Sequence, residues 1–391
     1  MAGLVGGSVS PALEAGLAAA AADAAADAGL WLVAAFLAAQ GAVLALNLLT
    51  FPVLGARAGR NATPVGSERP RVSLLVPARN EAETLPTTLP TYLAQGAGEV
   101  LVLDDGSTDT TPAILAAAAD RSSALRVLPG TPLPPGWSGK NWACHQLARA
   151  ATGDVLVFTD ADVAWRPGAL ERVVAELGAT GAGLLTAWPR QRCVTLGERL
   201  VVPLVDLLLL ANLPHPLVRA LPFASLAGAN GQLMAWRRDA YDRVGGHAAL
   251  PGEVLEDVRL AHRAKGLGVP LTLRLGGRWV ETRMYRGWSE VVAGFGKNVL
   301  AAAGGSPLAL VAVWLLNLAA YTLPWLLAWW DARWWAIAAA GLLLRAASNA
   351  KSGRPAWEAI LQPLGPIAFS AIVARALSRR GGYAWKGRSY P

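Results

Sequence analysis

The stretch VFTDADVAW, Val157–Trp165, places Asp160 and Asp162 one residue apart at the end of an apolar run. On an extended chain, side chains at i and i+2 point to the same face. Two carboxylates so placed repel each other unless a cation lies between them. Hard divalent ions, Mg2+ or Mn2+, prefer oxygen ligands and commonly bind one or two carboxylates plus the phosphates of a substrate. Asp160 and Asp162 are therefore a candidate metal pair. The alternative is a solvated turn, where Asp is an ordinary turn residue.

Two further clusters carry chemistry. In VLVLDDGSTDTT, Val100–Thr111, an apolar run delivers Asp104 and Asp105. Gly106 then permits a turn, and Ser107 or Asp109 can cap the next helix. Capping leaves Asp104 and Asp105 unexplained. Carboxylates at a strand end can accept hydrogen bonds from a nucleobase imide or ribose hydroxyls. In VPARNEAETLP, Val76–Pro86, Pro77 is expected to end a strand and Asn80 or Glu81 to open a helix. Its functional reading sets Ala78–Glu81 around a nucleotide base, and its bland reading is capping.

Elements must position these groups. Short apolar runs at Val72–Val76, Val100–Leu103, Leu125–Leu128 and Val155–Phe158 alternate with helix-like segments such as Thr110–Arg121 and Asn141–Ala151. That alternation predicts an α/β domain over 72–290 with a mainly parallel sheet and helices on both faces. Ligands in such sheets bind beyond the carboxyl ends of the strands, where these acidic groups fall.

The chain has 391 residues, of which 53% are apolar and only 16% charged. Residues 1–29 form an alanine-dominated tail without Lys or Arg, unlike a secretory leader with its basic start. Residues 30–55 lack any charge and exceed the ~20 apolar residues a spanning helix needs. Arg57, Arg60, Arg69 and Arg71 follow. Basic residues favour the cytoplasmic side, so the N-terminus is expected outside and the following domain inside. A second membrane region is expected over 298–377. It has an uncharged stretch up to Asp331, then weaker stretches Trp334–Leu344 and Ala359–Ala374, the last interrupted by Pro363, Gly365 and Pro366. The basic tail, 378–391, should be cytoplasmic. That requires an even number of crossings after the domain, which two spans plus a broken, re-entrant or interfacial segment near Pro363–Pro366 would satisfy. Segment 200–222, opening LVVPLVDLLLLANL, reads either as an interfacial helix against the bilayer or as a core helix.

The net charge of +8 is not gathered into a Lys/Arg tract with interleaved aromatics, so no nucleic-acid partner is expected. Cys144 and Cys193, with no CxxC pattern, suggest neither a zinc site nor a disulfide framework. No Walker motif is present, because Asn141 and Pro134 stand at positions it requires to be Ser/Thr and Gly.

In order, VPARNE, LDDGSTD and FTDAD resemble the family-2 glycosyltransferases of GT-A fold. The likeness continues in GWSGKNWACHQ (Gly136–Gln146), GANGQLMAWRRDAYDRVGGH (Gly228–His247) and LEDVRLAHRAKGLG (Leu255–Gly268). MYRGWSEVVAGFGKN (Met284–Asn298) and the terminal WKGRSYP are similar to membrane glycosyltransferases encoded with hopanoid or carotenoid biosynthesis. The resemblance covers about residues 72–391.

It implies a role for each matching position. Asp160 and Asp162 match the metal-binding DxD pair, and Asp104 and Asp105 the acidic pair near the uridine. Pro77, Arg79 and Glu81 match the base-binding loop, with Arg79 standing where an aromatic is common and able to stack through its planar guanidinium. Lys140 matches a lysine near the diphosphate, and Asp160 also faces the donor. In the pair Glu256–Asp257 the aspartate is the implied catalytic base. Read without the resemblance, Asp257 would pair with Arg259, Arg263 or Lys265 along a helix. Glu256, Gly228, Asn230 and Trp288 are assigned to the acceptor side. Processive synthases of the family carry QxxRW, and here Arg286-Gly287-Trp288 argues for single-sugar transfer.

The reading is an inverting, membrane-bound transferase moving one sugar from a nucleotide-diphosphate donor, a UDP-sugar, to a lipid acceptor of carotenoid or other isoprenoid type. Mg2+ or Mn2+ is the expected cofactor, and the catalytic domain of a multi-pass cell-membrane protein is expected on the cytoplasmic side. A polysaccharide synthase or exporter, and a non-catalytic nucleotide-sugar-binding membrane protein, are the alternatives.

Overall fold

A computed structural model describes residues 11–55, 70–378 and 383–390. Residues 1–10, Arg57, Arg60, Arg69, Arg379 and Arg380 lie outside the described residues, so the charges placing the chain inside are only partly covered.

The central sheet has seven strands. They are β1 (Val72–Ala78), β2 (Glu99–Asp104), β3 (Leu125–Pro129), β4 (Val155–Thr159), β6 (Leu184–Trp188), β8 (Leu233–Arg237) and β9 (Leu271–Leu275), in the order β3-β2-β1-β4-β8-β6-β9. Only β8 runs antiparallel to its neighbours. A small second sheet joins β5 (Val163–Trp165), β7 (Arg190–Gln191) and β10 (Val280–Thr282) in the order β5-β10-β7.

The apolar runs form strands because both sheet faces are covered. Leu75, Leu101, Leu103, Leu156 and Phe158 bury into one core. Their sequence neighbours Leu74, Val76, Val100, Val102, Val155 and Val157 bury into the other. Side chains of a strand alternate between faces, so a doubly covered strand reads as unbroken hydrophobicity. From β1 the chain winds outward to β2 and β3, then returns to lay β4 on the other side of β1. This reversal sets the carboxyl ends of β1, β2 and β4 around one crevice.

The first helix is longer than the sequence reading allowed. It runs from Pro11 to Thr50 without a break near residue 29, because alanine is the strongest helix former and nothing stops the turn. Asn47, fully buried, fastens its end to segment 200–222. Its amide donates to the carbonyls of Leu210 and Leu213, each at 2.8 Å, and its oxygen accepts the His215 amide at 2.9 Å. That segment is three short helices, Leu196–Val201, Pro203–Asn212 and His215–Ala220. Leu207, Leu210 and Val218 are buried, whereas Leu208 and Phe223 are exposed.

Among the described residues, three helical stretches are long and apolar enough to cross a membrane: Ala18–Thr50, Pro307–Leu327 and Ala356–Ser378. Trp334–Leu344 falls in the helix Arg333–Lys351, which is not one of them. That helix buries Arg345, Ser348 and Asn349, and Arg345 donates to Gln362 at 2.8 Å and to the Arg199 carbonyl at 3.0 Å. Its polar face is answered by other helices, while Trp335 and Leu343 on the same helix are exposed. The interruption at Pro363–Pro366 is no gap: Ala356–Leu364 winds as a 3-10 helix and Gly365–Ser378 continues it as an α-helix. Proline at the start of the α-helix costs no hydrogen bond there.

Candidate active site

Asp160 and Asp162 leave the end of β4 in a tight turn, not on the extended chain expected from their spacing. The Val163 amide donates to the Asp160 carbonyl at 3.2 Å, which closes the turn before β5 begins. Neighbouring side chains hold it. Tyr92 Oη donates to the Asp160 carbonyl at 3.0 Å, and Thr88 Oγ1 to the Ala161 carbonyl at 2.7 Å. Beneath, fully buried Thr159 accepts the Trp165 indole N–H at 3.2 Å and donates to the Gln232 carbonyl at 3.0 Å. The helix Leu85–Leu93 and the loop before β8 thus jointly fix where the two carboxylates point.

The two aspartates are treated differently. Asp160 Oδ1 lies 2.8 Å from Lys140 Nζ. Asp162 Oδ2 accepts Thr282 Oγ1 at 3.0 Å, while its Oδ1 is buried with no hydrogen-bond partner. Burial, followed by the charges of Asp160 and Glu81, pushes the Asp162 carboxyl up to about 7. A buried acceptor without a donor costs free energy. An added cation would remove both the orphaned atom and the repulsion, so the pair fits a metal ion. No group of three or more His, Cys, Asp or Glu side chains among the described residues is arranged to hold one.

Lys140 is the hub. It stands in the first turn of the helix Gly139–Ala150, whose Ser138 cap accepts the Asn141 amide. Its ammonium also lies 3.0 Å from Glu256 Oε1. Burial opposes its charge, but Asp160 and Glu256 outweigh this and hold its pKa well above the usual value. One cation thereby joins the end of β4 to the start of the helix Glu256–Gly266.

Asp257 is anchored at both oxygens. Oδ2 accepts the Gly231 amide at 2.7 Å and Oδ1 the Val258 amide at 2.8 Å. It occupies the first turn of its helix, where the dipole favours negative charge. Burial and then Glu256 still push its carboxyl up to about 6, with Lys140 and the two amides opposing. The ion pairs with Arg259, Arg263 or Lys265 that a bland reading foresees do not form: Arg259 pairs with Glu253 at 3.6 Å, Arg263 donates to the Val244 carbonyl at 2.5 Å, and Lys265 donates to the Val218 carbonyl.

Sequence reading passed over Gly231. A Cβ there would lie 2.9 Å from Lys140 Nζ, 3.2 Å from Glu256 Oε1 and 3.4 Å from Asp257 Oδ2. Only glycine lets the backbone lie against all three groups. Gly231→Ala is expected to push Lys140 aside by a few tenths of an ångström and lower turnover about tenfold, since small misplacements at a reacting centre are costly. Steady-state rates at saturating donor would show it.

Other assigned residues fall nearby or elsewhere. Asn230 spends its side chain on the Gln232 amide at 2.9 Å, and its own amide donates to Thr186 Oγ1 at 2.9 Å, so it shapes the loop. Gly228 lies against Leu213 and Trp188. Trp288 begins the helix Trp288–Ala302 and packs on Gly197. From the same helix, Lys297 sits in the field of Glu256, Lys140, Asp160 and Asp257, a proximity its sequence position did not suggest.

A second acidic group lies at the ends of β1 and β2. Asn80 takes a left-handed φ of 52° and its amide oxygen accepts the Thr108 amide at 2.8 Å. The helix expected at Asn80–Glu81 therefore starts later, at Leu85. Likewise β1 runs one residue past Pro77, to Ala78. Asp104 Oδ1 accepts the Ser107 amide at 3.0 Å. The N-cap of the next helix is Thr110, not Ser107 or Asp109, although Asp109 just before it accepts the Thr111 amide at 2.9 Å. Arg79 does not lie free to stack: its guanidinium donates to the carbonyls of Asp105, Gly106 and Lys386. Asp105 is buried and Arg388 contacts its Oδ2, while its Oδ1 has no partner. Burial raises its pKa despite Arg388 and Arg79.

With this geometry in place, likeness to known proteins can be weighed. Residues 73–245 match the family model Glycosyl transferase family 2. That match covers less than half of the chain. A 4,4'-diaponeurosporenoate glycosyltransferase from Staphylococcus aureus is 26% identical over 259 residues, 63% of this chain and 66% of the relative. The enzyme of the same name from Staphylococcus haemolyticus is 26% identical over 267 residues, 64% of this chain and 68% of the relative. The match thus spans just under two thirds of the first relative's length. Among solved structures, a mannosyltransferase from Pyrobaculum calidifontis, solved with GDP-Man and Mn2+, superposes with a TM-score of 0.53 at 24% identity, covering 89% of this chain and 99% of that one. The architecture is the GT-A fold. Asp104, Asp105, Lys140, Asp160, Asp162 and Gly231 all lie inside the matched region, whereas Asp257, Lys297, Lys386 and Arg388 lie beyond residue 245.

Proposed function

We propose that the protein is a membrane-bound, inverting glycosyltransferase that moves a single sugar from a nucleoside-diphosphate sugar, a UDP-sugar, to an apolar lipid acceptor. One observation carries this reading. Lys140 bridges Asp160 and Glu256, which places the DxD turn within one ammonium of the doubly anchored Asp257.

An acceptor hydroxyl is a poor nucleophile. Asp257, held by two amides with lone pairs to spare, takes its proton as the acceptor oxygen bonds to the anomeric carbon. The bond from that carbon to the diphosphate breaks on the opposite face, and the electron pair leaves with the nucleoside diphosphate. No second carboxylate is needed as nucleophile, so the configuration inverts. Lys140 supplies a fixed positive charge for the departing diphosphate. Asp160 and Asp162 would hold a divalent ion, Mg2+ or Mn2+, which when bound offsets charge on the same leaving group. Asp105 Oδ1, buried and without a donor, suits a ribose or base N–H or O–H.

Support for a lipid acceptor comes from the three long apolar helices flanking the domain and from relatives named for diaponeurosporenoate. Two of those helices follow the domain, an even number, so a cytoplasmic domain and a cytoplasmic tail are mutually consistent. A carotenoid-type or other isoprenoid acceptor is the reading they favour.

The test uses purified full-length protein in detergent with radiolabelled UDP-sugars and GDP-mannose and an isoprenoid acceptor extract. Label should enter the organic phase as a one-sugar product, fall to background in excess EDTA and return with Mn2+ or Mg2+. Repeated addition to one acceptor would make the protein a polysaccharide synthase. Full transfer in chelator would remove the metal from the reading.

A further inference from the structure

The last described residues form a hairpin, β11 (Tyr383–Trp385) and β12 (Arg388–Tyr390), with Trp385 paired to Arg388. Lys386 and Gly387 make the turn with φ of 46° and 80°, as a two-residue hairpin of this hand requires. The side chains of Lys386 and Arg388 reach back across the sequence to the crevice. Lys386 Nζ contacts Glu81 Oε1, and Arg388 Nη1 contacts Asp105 Oδ2. Arg388 Nη2 donates to the Asp105 carbonyl at 3.1 Å, and Arg79 Nε donates to the Lys386 carbonyl at 2.9 Å.

Two features set this contact apart from a casual surface pairing. Among the described residues, Asn80 and Lys386 are the non-glycine residues with positive φ, and they sit on the two sides of this one contact. Such backbone is strained and persists where surrounding structure holds it. The carboxylates engaged are also the ones the domain would use for a nucleoside. Asp105 is buried, and its remaining oxygen has no partner.

We infer that the C-terminal hairpin is a latch on the nucleoside end of the donor site: Lys386 and Arg388 occupy Glu81 and Asp105, and the donor must displace them to bind. The inference rests on the donor-site reading above. Asp105 is buried beside the charge of Asp104, so the Arg388 contact stabilises the unliganded form. The same contacts reduce apparent donor affinity by the fraction of molecules that are unlatched.

The test compares full-length protein with the variant K386Q/R388Q in detergent with Mn2+, measuring UDP and GDP binding by calorimetry. Hydrogen exchange of 383–390 is followed in wild type with and without nucleotide. The variant should bind UDP about 3- to 10-fold more tightly, the range open to two partly exposed ion pairs. In wild type, nucleotide should speed exchange in the hairpin. Equal or weaker binding by the variant, or a hairpin that nucleotide protects, overturns the latch and makes these cations part of the donor site. If neither form binds any nucleoside diphosphate, the donor-site reading fails and the latch with it.

Discussion

Asp257→Asn should lower the turnover of sugar transfer about 10²- to 10⁴-fold, the usual worth of a positioned general base, while UDP binding stays within about threefold of wild type. Asparagine keeps an oxygen to accept the Gly231 amide, now at 2.7 Å from Asp257, and gives up only the contact with the Val258 amide of its own first helical turn, so the loop should hold its place. It cannot take a proton. The pH profile supplies a second mark. Burial and Glu256 raise the Asp257 carboxyl to about 6, so its neutral form prevails below that value. Wild-type kcat/KM should therefore fall as pH drops through about 6, and the residual rate of the variant should lack this limb. Radiolabelled transfer at pH 5 to 8, with calorimetric UDP binding beside it, decides the matter. Turnover by the variant within about threefold of wild type would remove Asp257 from the role.

What the sequence discloses and what it hides follow from the range of each interaction. Val72–Val76, Val100–Leu103 and Val155–Phe158 are visible as strands because hydrophobicity is local and both faces of a parallel sheet are buried. The acidic residues after them are visible as site candidates because strands of such a sheet end at one edge. The turn at Asp160–Asp162 is less visible. Spacing alone suggests an extended chain, and the reversal depends on Tyr92 and Thr88 holding carbonyls from another element. Gly231 is invisible, because nothing in GANGQ says that Lys140 and Glu256 will arrive against it. The hairpin is hidden for the same reason. Lys-Gly is a weak hairpin signal beside Asn-Gly, and its partners Glu81 and Asp105 lie 305 and 283 residues away. Among the apolar stretches, Trp334–Leu344 is weak in hydropathy, and its helix carries the buried Arg345. A charge inside a helical bundle marks a helix packed against others, and its partners, Gln362 and Arg199, are set by tertiary structure.

Lys140→Gln tests whether the hub is chemical or merely structural. The ammonium lies 2.8 Å from Asp160 and 3.0 Å from Glu256, and its pKa is held well above the ordinary value, so it is charged at every working pH. Glutamine retains hydrogen bonds and loses the charge. Loss of one preorganised electrostatic group at a reacting centre costs about 10²- to 10³-fold, and kcat/KM for the donor should fall by that much. Lys140→Arg is not a rescue. The backbone of Gly231 lies so close that even an added Cβ there would stand 2.9 Å from Nζ, which leaves no room for a planar guanidinium. The variant Lys140→Gln should also move the acid limb of the profile. Lys140 holds the Asp257 carboxyl down against burial and Glu256, so without it that pKa rises and activity begins to fall at a higher pH. A purely structural lysine would lower thermal stability and leave the limb where it was. Equal limbs in wild type and Lys140→Gln, with kcat/KM within about threefold, would show that the bridge holds the fold together and does not serve the reaction.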